Sequence, residues 1–271
     1  MPELPEVETT RRGIEPHMLE QTITKIIVRD RRLRWPVSRK LDTEAKGCRV
    51  LSVQRRSKYL LINTDNGSII VHLGMSGSLR VLPQDTPAEK HDHIDMVLGN
   101  GLCVRFRDPR RFGSFFWTRN NPLQHKRLLD LGPEPLSSEF SSQYLFGQSR
   151  GRKQNIKAFI MNSKIVVGVG NIYACESLFL AGIHPGTITA RISRARLEKL
   201  VHSIKKVLRK AIKQGGTTLK DFAQTDGKPG YFSQSLNVYG RAGLPCHSCQ
   251  RPVKKITQAQ RSTFYCPKCQ H

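Results

Sequence analysis

Residues 60–73 read LLINTDNGSIIVHL, and residues 94–106 read IDMVLGNGLCVRF. Each stretch is a pair of short apolar runs around a polar turn. LLINT and SIIVHL flank Asp65-Asn66-Gly67, while IDMVL and LCVRF flank Gly99-Asn100-Gly101. An Asn-Gly step supplies the positive φ that a tight hairpin turn needs, so both stretches are predicted to be hairpins. Several short strands punctuated by turn signals predict an antiparallel sandwich or barrel. Loops are expected to interrupt it near 83–93 and 107–113.

Outside this strand-rich stretch the pattern is helical. Pro5 to about Ile14 suits a helix, with Pro at its start and Glu crowding the first turn. Residues 120–150 carry Asn-Pro, Gly-Pro-Glu-Pro and Ser-Ser signals and read as a connector. Beyond it, Ile156, Phe159 and Ile160 repeat at helical spacing. So do Leu197, Leu200, Val201, Ile204, Val207, Leu208 and Ala211, with Ser193 as N-cap and Gly215-Gly216 as the stop. The opposite face of this long helix carries Lys199, Lys205, Lys206, Arg209 and Lys210, which by default is a solvated face.

Charge is the strongest bulk signal. Forty-five Lys and Arg against 21 Asp and Glu give +24 over 271 residues. Residues 1–139 carry a net +6 and residues 140–271 a net +18. Such an excess points to a polyanionic partner, because Lys and Arg displace counterions condensed on phosphates. Hydrophobic content of 38% with a mean hydropathy of −0.43 reads as soluble and folded. No apolar run approaches the roughly 20 residues of a membrane helix. The start MPELPEVETT lacks a signal-peptide design. A cytoplasmic protein is expected, with no membrane partner.

Seven cysteines are present. Cys246-His-Ser-Cys249 and Cys266-Pro-Lys-Cys269 form two CxxC pairs at a separation that suits four thiolates around one structural Zn²⁺. VKKI and TFYC between them fit the two strands of a ribbon. Disulfides or spare thiols are the alternative. Cys48, Cys103 and Cys175 lie among apolar residues and read as buried thiols.

The N-terminus is unusual. A small residue follows Met1, so removal of the methionine should expose Pro2, a secondary amine. Alpha-amino groups titrate near about 7.7–8.0, leaving a nucleophilic fraction at neutral pH. Attack on a sugar carbon would give an iminium. Glu3 lies beside it and could shuttle a proton. The ordinary alternative is a Pro-started helix with dipole-matching acids.

PELPEVET, KYLL, HLGMSGSLR, KHDH, DPRRFG, VVGVGNIYACESL, QGGTTLKDF, DGKPGYF and the terminal cysteine pairs together resemble bacterial formamidopyrimidine-DNA glycosylase, in the family's order and through almost the whole chain. The resemblance implies an α+β fold: an N-terminal antiparallel β-sandwich with flanking helices over 1–130, a linker over 131–150, a helix-two-turns-helix domain over 151–235, and a zinc finger over 236–271. It implies a monomer that acts on double-stranded DNA containing damaged purines. It also implies roles. Pro2 would be the nucleophile, Glu3 the proton donor, Lys58 the residue for β-elimination and Arg261 for δ-elimination. Asn171 would hold a phosphate, as would Tyr239 and His72. His91, Arg110 and Arg152 would be further DNA contacts. Met75, Arg110 and Phe112 would fill the gap left by a flipped nucleotide. Without the resemblance, Met75 and Phe112 read as core and Arg110 as surface. The polar, Gly-rich stretch from Thr217 to Tyr231 would close over the flipped base.

Two rivals are distinguishable. The endonuclease VIII type starts PEGPE, and Leu4 here favours the purine enzyme. A non-catalytic zinc-ribbon or ribosomal binder would share the charge and the cysteines, but it has no use for Pro2, Glu3 and Lys58 together.

Overall fold

A computed structural model describes residues 2–216 and 235–271. The expected recognition loop at 217–231 lies outside the described residues. The chain forms two compact units: one holds the residues up to Asp130 together with Gln214–Gly216, and the other holds Leu131–Lys213 and the C-terminal segment to His271.

In the first unit, helix α1 (Leu4–Met18) and a short α2 (Arg39–Glu44) flank eight strands. These are β1 (Ile23–Val28), β2 (Val50–Arg56), β3 (Tyr59–Thr64), β4 (Gly67–His72), β5 (Ser78–Pro83), β6 (Asp92–Leu98), β7 (Leu102–Arg107) and β8 (Ser114–Thr118). Two four-stranded antiparallel sheets result, ordered β1-β6-β7-β5 and β2-β3-β4-β8. One core joins them: Ile26, Ile94, Met96 and Phe106 from one sheet pack with Val53, Ile62, Val71 and Phe115 from the other. Core side chains alternate along β3, β4, β6 and β7, as a sandwich requires, while bulges in β1 and β2 set Ile23 and Ile26, and Val50 and Val53, three residues apart. Helix α1 runs four residues beyond the expected Ile14, because Met18 is also buried in this core. Pro16, in its last turn, costs only one helix hydrogen bond there.

Both predicted hairpins are present, with different turns. Gly101 takes the expected positive φ of 79°. At 65–67, Asn66 is not left-handed. Thr64 instead pairs with Gly67, whose missing Cβ admits Trp117: a Cβ there would come within 2.7 Å of the indole. Strand β6 is buried along its whole length. Its two aspartates face guanidiniums. Arg105 binds Asp95 through Nε at 2.8 Å and Nη2 at 2.9 Å, and Arg29 meets the same carboxylate at 2.6 Å.

The second unit is helical, with a terminal ribbon. Its helices are α3 (Ser142–Ser149), α4 (Ile156–Ile160), α5 (Asn171–Ala181) and α6 (Arg194–Lys213). Helix α3 lies inside the stretch read as connector. Ser141 caps it by accepting the Tyr144 N–H at 3.1 Å, a start the Ser-Ser pair partly concealed. Helix α6 begins after Ser193 and stops before Gly215 and Gly216, at φ 75° and 81°. The ribbon strands β9 (Lys254–Gln258) and β10 (Arg261–Tyr265) pair antiparallel through a two-residue turn. No described helix is long and apolar enough to cross a membrane.

Candidate functional site

In the first unit, Pro2 and Glu3 are buried at the head of α1. Glu6 Oε2 accepts the Glu3 backbone N–H at 2.8 Å, and the Glu3 carboxylate faces the Glu6 N–H in return, a capping box that fixes the first turn. Arg55 reaches from β2 to Glu8 of α1 at 3.2 Å and also donates to the Ser57 carbonyl at 2.9 Å. Ser57, with φ 57°, and Lys58 form the turn between β2 and β3, so one guanidinium ties the Lys58 turn to α1.

His72 lies close enough to Lys58 to feel its charge. Burial, then the Lys58 and Arg34 charges, push its imidazole down to about 4. His72 Nδ1 accepts the Gly74 N–H at 3.0 Å, which leaves the ring proton on Nε2. The ring packs on Tyr59, 4.7 Å between centroids.

Met75, His91, Arg110 and Phe112 are gathered by a residue that sequence reasoning missed. Asp108 is fully buried at the start of DPRRFG. Its Oδ1 accepts from Ser76 Oγ at 2.6 Å and from the Arg110 N–H at 3.3 Å, and its Oδ2 accepts from the Gly113 N–H at 2.7 Å. Its backbone N–H donates to the His91 carbonyl at 3.0 Å, and His93 Nε2 meets its carbonyl at 2.9 Å. Gly74 packs so closely on the same loop that a Cβ would lie 2.3 Å from the Phe112 carbonyl carbon. The Met75 turn and the 108–113 loop therefore form one body. From it Arg110 and Phe112 project to solvent, with the guanidinium 5.0 Å from the centre of the ring, while Met75 is half-buried. His91 is half-buried, with φ 78°; burial, then nearby cations, lower its imidazole pKa. Arg105 also donates to the carbonyls of Thr86 and Pro87, bracing the loop that leads to His91.

In the second unit, Asn171 is the first residue of α5, at the positive end of the helix dipole. Its Nδ2 donates to the Ser262 carbonyl at 2.9 Å, so it adjoins β10, whose first residue is the exposed Arg261. Lys157, buried in α4, donates to Thr263 Oγ1 at 2.6 Å and braces the same strand. Lys157, Arg261, Asn155, Asn162, Gln258 and Ala259 line a recess of about 260 Å³. Tyr239 packs on Phe264, 5.0 Å between centroids. Glu176, also unforeseen, fixes the Tyr239 segment: its carboxylate accepts the N–H groups of Asn237, Val238 and Tyr239 and the Asn237 amide, all within 2.9 Å. Arg152 is not drawn in with these residues. It is exposed, and its Nε donates to the Gln148 carbonyl at 3.3 Å.

The sulfurs of Cys246, Cys249, Cys266 and Cys269 lie within 4.8 Å of one another. Cys246 and Cys269 are 3.9 Å apart, and Cys249 and Cys266 3.4 Å. A tetrahedron of Zn–S bonds of about 2.3 Å places sulfurs about 3.8 Å apart, so the set fits one zinc ion. Burial and the neighbouring thiols push the Cys269 thiol up to about 12. A divalent cation at the centre supplies the charge that lets all four ionise.

Three family models match in succession: the formamidopyrimidine-DNA glycosylase N-terminal domain over residues 1–115, its H2TH domain over 131–223, and the zinc finger found in FPG and IleRS over 243–271. The chain belongs to the formamidopyrimidine-DNA glycosylase family. A member from Hydrogenovibrio crunogenus is 57% identical over 270 residues, covering 100% of this chain and 96% of that one. Two Lactococcus lactis Fpg structures, one a variant in complex with Fapy-dG containing DNA and one in complex with abasic-site DNA, superpose with TM-scores of 0.92 and 0.91. Both are 34% identical and cover 99% of each chain. The family's zinc finger places the four-cysteine set as a structural zinc site, closed to substrate by its four protein ligands.

Proposed function

We propose that this DNA glycosylase excises oxidised purines, 8-oxoguanine and formamidopyrimidines, from duplex DNA and then cuts the strand. The single observation that carries the reading is the head of α1. Pro2 and Glu3 are buried together there and held by the Glu3–Glu6 capping box, in a chain whose Lys58 turn is tied to the same helix. That the Lactococcus lactis relatives are complexed with Fapy-dG and abasic-site DNA supports the substrate class.

The chemistry follows from the residues. The damaged nucleotide must leave the stack before an amine can reach its C1′. The Pro2 nitrogen forms a bond to C1′ as the glycosidic bond breaks, and the proton the amine sheds leaves with the departing base. Glu3 delivers a proton to the ring oxygen, the sugar opens, and an iminium remains. The iminium acidifies the C2′ hydrogen, whose loss expels the 3′ phosphate; Lys58 assists this β-elimination. Arg261 assists the later δ-elimination that expels the 5′ phosphate. His72, His91, Arg152, Asn171 and Tyr239 contact the DNA backbone. Met75, Arg110 and Phe112 occupy the gap. Residues 1–130 carry the nucleophile, while Arg152 and Asn171 of the 151–235 domain, with Tyr239 and Arg261 of the zinc finger of 236–271, hold the duplex. The protein acts as a cytoplasmic monomer.

Borohydride reduction during reaction with an 8-oxoguanine duplex tests this. The expected result is a covalent adduct that peptide mapping places on residue 2. An adduct on a lysine, or none, overturns the reading. A chain that retains Met1 should be inactive, since its Pro2 nitrogen is an amide.

A further inference from the structure

Helix α6 carries eight Lys and Arg against a single Glu. In the first unit many such cations are paired, as Arg11 is with Glu8 and Arg105 with Asp95. On α6, Lys199, Lys206, Arg209 and Lys210 make no ion pair among the described residues. Lys206 and Lys210 are one turn apart, as are Arg196 and Lys199, so these charges repel one another along the helix. An anionic partner would relieve that repulsion.

The first half of α6 and the last turn of α5 border an open groove of about 720 Å³. Leu180 lines it together with Arg196, Glu198, Lys199, His202 and Lys206. Leu180 is 41% exposed although it belongs to a helix whose other residues from Ile172 to Ala181 are buried. None of the residues proposed above to contact DNA lines the groove. Asn171 opens α5 and Leu180 is nine residues on, which separates them by roughly 14 Å along the axis.

We propose that this groove docks an acidic, leucine-bearing peptide segment of a partner protein. The chemistry selects a peptide over a second stretch of DNA. Carboxylates match Lys199 and Lys206, as phosphates also would. A phosphodiester row, however, offers no aliphatic group to cover Leu180 and no donor for the Glu198 carboxylate. A peptide supplies both, through a leucine side chain and a backbone N–H.

The test is fluorescence anisotropy of the full-length, zinc-loaded protein with a short labelled peptide rich in Asp and Glu and carrying two leucines. Saturable binding is expected, weakening with salt. K199E/K206E should weaken it roughly tenfold or more, because two attractive contacts become repulsive. L180S, a smaller change that guards against misfolding of the charge-reversed variant, should weaken it several-fold. So should replacing the peptide leucines by serine. Circular dichroism melts confirm that both variants are folded, and their cutting of an 8-oxoguanine duplex should match the wild type. Failure of the peptide to bind, equal binding by the variants, or displacement of the peptide by excess undamaged duplex overturns the proposal. The last result would assign the surface to DNA instead.

Discussion

Ser76 Oγ donates a 2.6 Å hydrogen bond to Asp108 Oδ1, joining the turn that carries Met75 to the loop that carries Arg110 and Phe112. Asp108 is fully buried, and each of its carboxylate oxygens accepts at least one N–H or O–H. Asp108→Asn replaces one acceptor by a donor that must face either Ser76 or the Gly113 N–H. Leaving such buried groups mispaired costs about 1–3 kcal/mol, more where the lost acceptor was charged. Urea unfolding should show a loss of that order, with Ser76→Ala losing less. Affinity for lesion duplex should fall in both, because the two loops no longer move as one body.

Glu176 presents the same logic in the second unit. Four N–H donors converge on its two oxygens, two on each. Glu176→Gln turns an NH₂ against one of those pairs. Hydrogen exchange at Asn237, Val238 and Tyr239 should accelerate, and stability should drop by roughly 2–3 kcal/mol. Unchanged exchange at these three amides would show that other contacts hold the segment.

His72 sets a pH dependence. Its folded pKa, about 4, lies below the ordinary 6.5, so the unfolded chain binds the proton more tightly. The neutral ring therefore contributes stability that is fully present above pH 6.5 and is lost as pH falls toward 4. The shift corresponds to about 3 kcal/mol at most. Protonation also breaks the bond to the Gly74 N–H, since Nδ1 then becomes a donor. Unfolding measured at pH 7 and pH 4.5 should show wild type losing more stability than His72→Gln, which cannot titrate. Equal losses would mean the imidazole does not govern this window.

Much of this architecture was legible in the chain. The alternating runs around 65–67 and 99–101 gave both hairpins, Gly215-Gly216 gave the end of α6, and the cysteine spacing gave the metal set. The strand pattern pointed to an antiparallel sandwich or barrel, but the full topology and the order of the domains followed from the resemblance rather than from any periodicity. Asp108 and Glu176 were hidden because a buried carboxylate looks like a surface one until its N–H partners are known. Asp108-Pro109 reads only as a turn signal, and Glu176 lies in an apolar helix run with its partners 61–63 residues away. The turn at 65–67 misled for a related reason. Its glycine answers to Trp117 on β8, a neighbour no local rule supplies.

The zinc site should govern the second unit and spare the first. Cys246 and Cys266 pack in one cluster with Cys175 and Phe179 of α5, Val238, and Phe264 of β10. Removing the metal therefore loosens the ribbon and the end of α5 together. Metal analysis should find about one Zn²⁺ per chain. Cys249→Ser, or a strong chelator, should abolish lesion-duplex binding while the unfolding transition of the first unit persists. Full activity in metal-free protein would contradict a structural role.

Arg110 should read the base opposite the lesion. It is exposed at the tip of the loop that Asp108 organises, its guanidinium stacked near Phe112 at 5.0 Å. The ring restrains the long side chain and leaves its N–H edge free to point at an unpaired base. On the proposed reading, once the damaged guanine flips out a cytosine partner presents its O2 and N3 acceptors. A guanidinium carries only donors and satisfies both. An adenine partner presents its amino donor on that edge, and two donors then face each other. A mismatched polar contact in a dry site costs on the order of 1–3 kcal/mol, or roughly ten- to a hundredfold in preference. Excision opposite adenine would fix a mutation, so the discrimination has a purpose. Arg110→Ala should narrow the cytosine-over-adenine preference more than it slows cutting at a pre-formed abasic site. Single-turnover rates on 8-oxoguanine paired with each base, for wild type and variant, measure this. An unchanged ratio would reduce Arg110 to a surface cation resting on Phe112.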